Sequence, residues 1–380
     1  MQRICYGTTN TEGTPLDYMH KTKLVFTLCS ATLAVLALVA CSPRVVAQVS
    51  QPDVLSALST TPTSQLTLTA TQSPSPEPTQ VPTPEPTPEP KAFSIAWISD
   101  TQGYTAADND VFGKMTQWIS DTQQDYDTVM TVHTGDIVYN AYREYEWQNS
   151  TAAFARLPKG MHILTVAGNH DQLPGYDPHT PYLDYRPDTD FDPAHAFDDS
   201  GYVYYTTFTE SGVPIIVFSL SYGLEVDAAD WVNEICKQYS DHYAILCLHN
   251  YMNLGGYSSV GVRLIDQVVK QSPNVRLVLC GHERGMAYLP EVVDDNGDGK
   301  PDRTVHQMMM NVQDDITNGV GYLRLLRFDP NADTIEVVTY SPILNRYGYK
   351  AFGGDRFGER KILDDAGLHS FLTQSAPIEN

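Results

Sequence analysis

From residue 92 the chain alternates short, nearly continuous apolar runs with longer stretches whose apolar residues recur at helical spacing. Ala92–Ser99 reads as a strand and Asp108–Thr122 as a helix; Thr128–His133, Tyr142–Leu157 and Met161–Ala167 continue as strand, helix and strand. Runs that are apolar on both faces mark strands buried on both sides, as in parallel βα units. Residues 172–200, rich in Pro, Asp, Tyr and His, break the pattern; they are too long for an ordinary connection and are predicted to be a functional loop or lid. Tyr202–Phe208 and Val213–Ser219 then read as paired strands joined by Glu210-Ser211-Gly212. Helix Ala228–Gln238, strand Tyr243–Leu248, helix Val260–Gln271 and strand Val275–Cys280 follow. The end turns to hairpins at Val305–Val312, Gly321–Phe328 and Thr334–Tyr340, with a turn at Asp329-Pro330-Asn331. The class predicted is α/β (α+β), a two-sheet sandwich with helices outside.

The segment before residue 92 carries a different signal. Residues 24–40 are apolar and follow Lys21 and Lys23, the pattern of an export signal. A start at Met19 would place both lysines near the N-terminus. The run ends in Leu38-Val39-Ala40-Cys41, which resembles the lipobox of bacterial lipoproteins and implies an exported chain, lipid-anchored to a membrane through Cys41. A plain signal peptide cut near Val46-Ala47, or an uncleaved anchor, are the alternatives. Residues 42–91 are rich in Pro, Thr and Ser, favour extended polyproline II and read as a disordered linker or spacer. The organisation expected is a signal at 1–41, a linker at 42–91, one domain at 92–345 and a C-terminal extension at 346–380.

Charge and cysteines narrow the picture further. The formal net charge is −22, and basic residues are sparse and unclustered, so no nucleic-acid-binding surface is evident. Beyond Cys41, Cys236, Cys247 and Cys280 remain. Buried thiols are one reading; a Cys247–Cys280 bridge, if their strands are neighbours, is the other. The sequence leaves the oligomeric state open.

Candidate chemistry lies at the ends of the predicted strands, where ligands collect in α/β sheets. The motifs are Ser99-Asp100-Thr101-Gln102, His133-Thr134-Gly135-Asp136, Gly168-Asn169-His170-Asp171, Leu248-His249-Asn250 and Gly281-His282-Glu283-Arg284. One rim would then hold Asp100, Gln102, Asp136, Asn169, His170, His249 and His282. Carboxylates, imidazoles and an amide suit one or two divalent transition metals such as Mn, Fe or Zn. Any one of these residues alone is equally a turn-capping group. His133 is expected to pack beneath the site, Tyr104 to edge it or lie on the surface, and His179, Arg186 and His195 to touch substrate or to belong to a solvated loop.

These motifs resemble those of the calcineurin-like metallophosphoesterases: D-x-H, G-D, G-N-H-[D/E], a lone His, then G-H-x-H. The resemblance runs from Ala92 to about Pro342, and His133-Thr134-Gly135-Asp136 with Gly168-Asn169-His170-Asp171 is its most specific part. The D-T-Q opening, with Asn311-Val312-Gln313 later, looks like a secreted bacterial branch. The resemblance implies a two-sheet β-sandwich in α-β-β-α layers. It implies that Asp136 bridges two metals, that Asn169, His249 and His282 complete one position, and that Asp100 supplies the other. His170 would face the leaving group, oriented by Asp171. The implied chemistry is metal-assisted hydrolysis of a phosphomonoester or phosphodiester, in which the metal acidifies a bound water that attacks phosphorus in line.

Two positions depart from the pattern. Gln102 replaces the first His and can ligate only as a neutral amide oxygen; Arg284 replaces the last and cannot ligate at all. Arg284 would grip a phosphate oxygen in the missing metal's place, or form a plain ion pair. The departures keep a second reading open, a non-catalytic surface lipoprotein binding a phosphorylated or glycan-linked ligand. Separately, Asp294, Asn296 and Asp298 match the start of a calcium loop, but its twelfth position is Val305 rather than Glu, and a tight acidic turn explains the same residues.

Overall fold

In the computed structural model, the described residues are 89–372 without 108, 174–180, 188, 190, 314–319 and 350–359. The predicted export segment, Cys41, most of the linker and His179 lie outside them. Among the described residues no helix is long and apolar enough to cross a membrane.

Two mixed sheets form the centre. In chain order the strands are β1 Phe93–Ile98, β2 Thr128–His133, β3 His162–Thr165, β4 Val203–Glu210, β5 Val213–Leu220, β6 Tyr243–Leu248, β7 Met252–Asn253, β8 Gly256–Tyr257, β9 Val275–Cys280, β10 Gly285–Tyr288, β11 Glu291–Val293, β12 Arg303–Asn311, β13 Leu323–Asp329, β14 Thr334–Ser341, β15 Arg346–Tyr347 and β16 Arg360–Leu363. The first sheet has the order β15-β14-β13-β1-β2-β3, with β16 also on β14. The second has the order β10-β12-β9-β6-β5-β4, with β11 also on β12. β1, β2 and β3 run parallel, as do β5, β6, β9 and β12.

Alternation along the strands makes the layers. Ile95, Trp97, Met130 and Val132 of the first sheet share one core with Val217, Ile245, Leu277 and Met308 of the second. Their neighbours point outward instead. Ala96, Ile98 and Leu325 pack with Phe112 and Met115 of helix α2 (Val111–Asp121) and Trp147 and Phe154 of α4 (Glu144–Phe154). Shorter helices stand before, between and after these two, α1 at Gln102–Ala106, α3 at Gln123–Tyr126 and α5 at Pro181–Tyr185. Phe218, Leu246 and Val278 cover the other side, against Val232 of α6 (Ala229–Gln238) and Leu264 of α7 (Ser259–Leu264). Burying an aliphatic side chain in this way stabilises by roughly 1.5–3 kcal/mol, so the period-2 pattern fixes each strand's register. The α-β-β-α sandwich expected from sequence is the fold.

Several boundaries are corrected. β12 does not form a hairpin with β13; it joins the second sheet beside β9, and its antiparallel partners are β10 and β11. The domain does not stop at 345, because β16 pairs with β14 and Leu363, Ala366, Leu368 and Phe371 enter the inter-sheet core. The 172–200 segment is anchored where it is described. Tyr182 is buried, stacks on Tyr202 and bonds Thr165; Arg186 lies on Phe191 and donates to the Gly201 carbonyl. His195 stacks on Tyr205. Cys247 and Cys280 sit on adjacent strands but on opposite faces, one in the inter-sheet core and one under the helices, so both thiols are free. In the 294–302 turn, Asp294 accepts from the Gly297, Asp298 and Gly299 amides, Asp298 accepts from the Lys300 amide, and Asp302 accepts from those of Asp295 and Asn296. Asp294 and Asp298 thus spend carboxylate oxygens on the backbone, as a tight acidic turn does.

Candidate metal centre

All five motifs follow the carboxyl ends of adjacent parallel strands, β1, β2 and β3 in one sheet and β6 and β9 in the other. Asp100, Asp136 and His282 adopt left-handed backbone, with φ of 53°, 56° and 68°. Such residues are uncommon and cluster at functional sites. The sharp turns need room: a Cβ on Gly168 would run into the Asp136 carboxylate, and one on Gly281 into Ser99 and Asp100.

His249 is the centre of the arrangement and is fully buried. Its Nδ1 donates to the Thr134 carbonyl at 2.8 Å, which leaves Nε2 as the lone-pair nitrogen of a neutral ring. Around Nε2, each at 3.2 Å, lie Asp136 Oδ1, Asn169 Oδ1 and His282 Nδ1. Four ligand atoms therefore converge, and His282 Nδ1 meets the others as an acceptor or a donor according to its tautomer. Without a cation the arrangement needs a proton on one of the facing imidazole nitrogens. Burial opposes charging His249, but the Asp136 carboxylate beside it prevails and pushes the imidazole up to about 10. The same pair works on Asp136, where burial raises and His249 lowers, with a net downward shift. Asp136, His249 and His282 each place a ligand atom within 4.8 Å of the others, the geometry of a metal group. The donor set fits a divalent ion.

The position assigned to Asp100 is built differently. Asp100 is fully buried, and it is not in the metal group found among the described residues. Its Oδ2 accepts from Ser99 Oγ at 2.6 Å, and its Oδ1 from Asn311 Nδ2 at 2.9 Å; the His282 amide approaches both oxygens. A relay of hydroxyls from Trp97 Nε1 through Thr134 to Ser99 sets that carboxylate's orientation. Burial holds the Asp100 carboxyl well above its ordinary value, and the charge on Asp136 raises it further against the pull of His249. Gln102 donates Nε2 to Asp136 Oδ2 at 2.8 Å, while its buried Oε1 has no hydrogen-bond partner among the described residues. Arg284 is exposed, on the turn into β10.

His170 and Asp171 do not form the expected pair. The His170 imidazole is held through Nδ1 by the Tyr139 carbonyl at 2.7 Å. Asp171 turns back under the site, where Oδ1 accepts from the Ile137 and Val138 amides and Oδ2 from Gly168. Burial, with the Asp136 charge second, pushes this carboxyl up to about 6. Adjacent residues at a strand end point different ways, so neighbourhood in sequence did not become contact. His133 packs beneath: Gly135 N donates to its Nδ1 and its Nε2 pairs with Thr101, while burial holds the ring neutral at about 3. Tyr104 is buried under the rim rather than edging it.

Within these bounds the chain matches the calcineurin-like phosphoesterase family over residues 93–284. It belongs to that family. Among curated proteins it is 33% identical over 273 residues to the Bacillus subtilis protein YvnB, a match covering 70% of this chain and 21% of YvnB. The chain thus spans about a fifth of the length of that relative. Among solved structures it is similar to a dimetal phosphatase from Danio rerio, at 10% identity and a TM-score of 0.47, covering 72% of this chain and 99% of that one. It is also similar to YfkN, a calcineurin-like phosphoesterase from Bacillus subtilis, at 13% identity and a TM-score of 0.37, covering 74% and 92%.

Sequence motifs missed two residues beside the site. Asn311, at the end of β12, ties Asp100 to the His282 carbonyl. Glu225, on the turn after β5, is buried; its Oε2 accepts from Gly223 N at 2.6 Å and its Oε1 has no hydrogen-bond partner among the described residues. Burial raises this carboxyl from 4.5 to about 7. The folded state therefore holds the proton more tightly than the unfolded chain. That stabilisation is complete below the unfolded value of 4.5 and is lost as pH rises through about 7. Glu225→Gln is expected to remove the loss, gaining about 3 kcal/mol on wild type between roughly pH 4 and pH 8. Urea unfolding at both ends of that range checks it, and parallel wild-type and variant curves would rule it out.

Proposed function

We propose that this domain hydrolyses phosphoesters, monoester or diester, with one divalent transition ion held by Asp136, Asn169, His249 and His282. The observation that carries the reading is the convergence of a carboxylate, an amide oxygen and two imidazole nitrogens on one point. A bound ion of this class supplies Lewis acidity and brings water into ionisation near neutral pH. The chain's own groups do the rest. Asp136 takes the Gln102 amide on Oδ2 and the His170 backbone N–H on Oδ1, so its carboxylate is fixed in the rim. His170 donates Nδ1 to the Tyr139 carbonyl, which leaves Nε2 for the substrate; in the imidazolium form Nε2 donates to a phosphoryl or leaving oxygen. Asp100 is engaged by Ser99, Asn311 and the His282 amide, which favours one ion over two. The lipobox-like Leu38-Val39-Ala40-Cys41 supports a protein anchored by lipid at the cell surface or the periplasmic face, acting there on a phosphorylated small molecule or a phosphodiester.

Metal analysis of the purified protein, with assays on monoester and diester substrates under Mn, Fe and Zn, tests this reading. One ion per chain and hydrolysis that Asn169→Ala abolishes are expected. Two ions per chain would remove the single-ion detail; no hydrolysis with any of these metals would remove the enzyme. Gln102 and Arg284 favour a second reading, ligand binding without turnover. It predicts phosphate binding by a protein whose hydrolysis is absent under every metal.

A further inference from the structure

The turn that follows β5 carries an aromatic residue onto the metal group. It is tied down at several points: Ala167 N donates to Ser221 Oγ at 3.0 Å, Tyr222 N to the Ala167 carbonyl at 2.9 Å, and Gln172 Nε2 to the Tyr222 carbonyl at 3.0 Å. Ala167 leads directly into Gly168-Asn169-His170, so the turn and the ligand loop share one scaffold. From it the Tyr222 ring reaches both histidines of the group. Its centroid lies 5.6 Å from that of His282 and 6.0 Å from that of His249, the latter edge-on. The residue is only half-buried, and no hydrogen bond to its hydroxyl is found among the described residues. The ring is packed on the two imidazoles while the hydroxyl is left for solvent or a ligand.

Apart from His170, the groups that face the site are chiefly acceptors. Asp100, Asp136 and Asp171 are acceptors, and the imidazole nitrogens of His249 and His282 that meet at 3.2 Å face inward. A phosphoryl group brings more anionic oxygens and needs donors to hold them. A phenol supplies one without adding a charge that would compete with the cation.

We propose that Tyr222 contacts the substrate, its ring packed on His249 and His282 and its hydroxyl donating to a non-bridging phosphoryl oxygen. The inference rests on the reading of this site as one that takes phosphoesters. A hydroxyl-to-anion hydrogen bond of this kind changes affinity by about ten- to a hundredfold.

Calorimetric titration with inorganic phosphate, on wild type and Tyr222→Phe at equal metal loading, tests it without requiring turnover. Phenylalanine keeps the ring packing, so metal content and thermal midpoint should stay the same while phosphate binding weakens about ten- to a hundredfold. Equal affinities overturn the proposal. So does a fall in metal content, which would make Tyr222 a support for the histidines, and so does a wild type that binds no phosphate. Absence of ester hydrolysis alongside Tyr222-dependent phosphate binding would instead remove the turnover half of the proposed function and leave this contact standing.

Discussion

Asp136→Ala is expected to abolish the proposed metal binding and hydrolysis while leaving the domain folded. The Asp136 carboxylate faces His249 Nε2 and accepts from both Gln102 Nε2 and the His170 amide. Removing it deletes the one formal negative charge in the metal group, since the other donors are imidazoles and an amide. Loss of an outer partner alone costs a metal site about ten- to a hundredfold in affinity, and loss of this ligand should exceed that range. Stability responds to opposing effects. Two donors lose their acceptor, which destabilises by about 1–3 kcal/mol each. Against this, the Asp136 charge pushes up the carboxyls of Asp100 and Asp171, and its removal relieves that repulsion. The His249 imidazole, no longer held up to about 10 by its neighbour, becomes a neutral buried ring. Metal content by mass spectrometry, hydrolysis rate and urea unfolding should therefore separate, with the first two collapsing and the third moving by no more than about 2 kcal/mol. A variant that keeps stoichiometric metal would refute the assignment.

His170→Ala is expected to do the reverse, keeping the metal and losing the rate. His170 meets the metal ligands through its backbone amide, which bonds Asp136 Oδ1 at 3.0 Å, and alanine retains that amide. The side chain is fixed by the Tyr139 carbonyl and packs at 5.1 Å from the Tyr139 ring. Its loss should leave metal content unchanged and lower kcat by about 10²–10⁴, the range for a positioned proton donor. A substrate whose leaving group needs no proton should lose much less, and comparing aryl with alkyl phosphoesters measures that. Equal losses on both would assign His170 to charge stabilisation instead, and no loss on either would remove it from the reaction.

The sequence was most informative where one physical cause fixes one pattern. Strands β6 and β9 occupy the residues that their continuous apolar runs mark, because burial on both faces leaves no other choice. The five motifs share a rim because parallel strands in neighbouring positions end together. It was least informative about partners. The alternation in Arg303–Asn311 marks a strand but does not say which sheet it joins, and that is decided by contacts with β9. Arg360–Leu363 is too short for periodicity to register, although β14 pairs with it. Asp171 beside His170 suggested a pair, and the backbone amides of residues 137, 138 and 168 claimed the carboxylate instead. Tyr222 is a lone tyrosine in a turn; only the packing of its ring on two imidazoles distinguishes it.

The way the sheets are threaded has a consequence for how the protein matures. β1, which opens the domain, pairs on one side with β2 and on the other with β13, so the first sheet waits for strands made near the end of the chain. The ligand atoms follow the same division, with Asp136 and Asn169 contributed by early strands and His249 and His282 by later ones. Neither half of the newly made polypeptide can grip an ion by itself. Long-range pairing of this sort is slow to form. An ion held by these four residues would thus be a late clasp across a finished sandwich, captured only once the polypeptide has closed on itself.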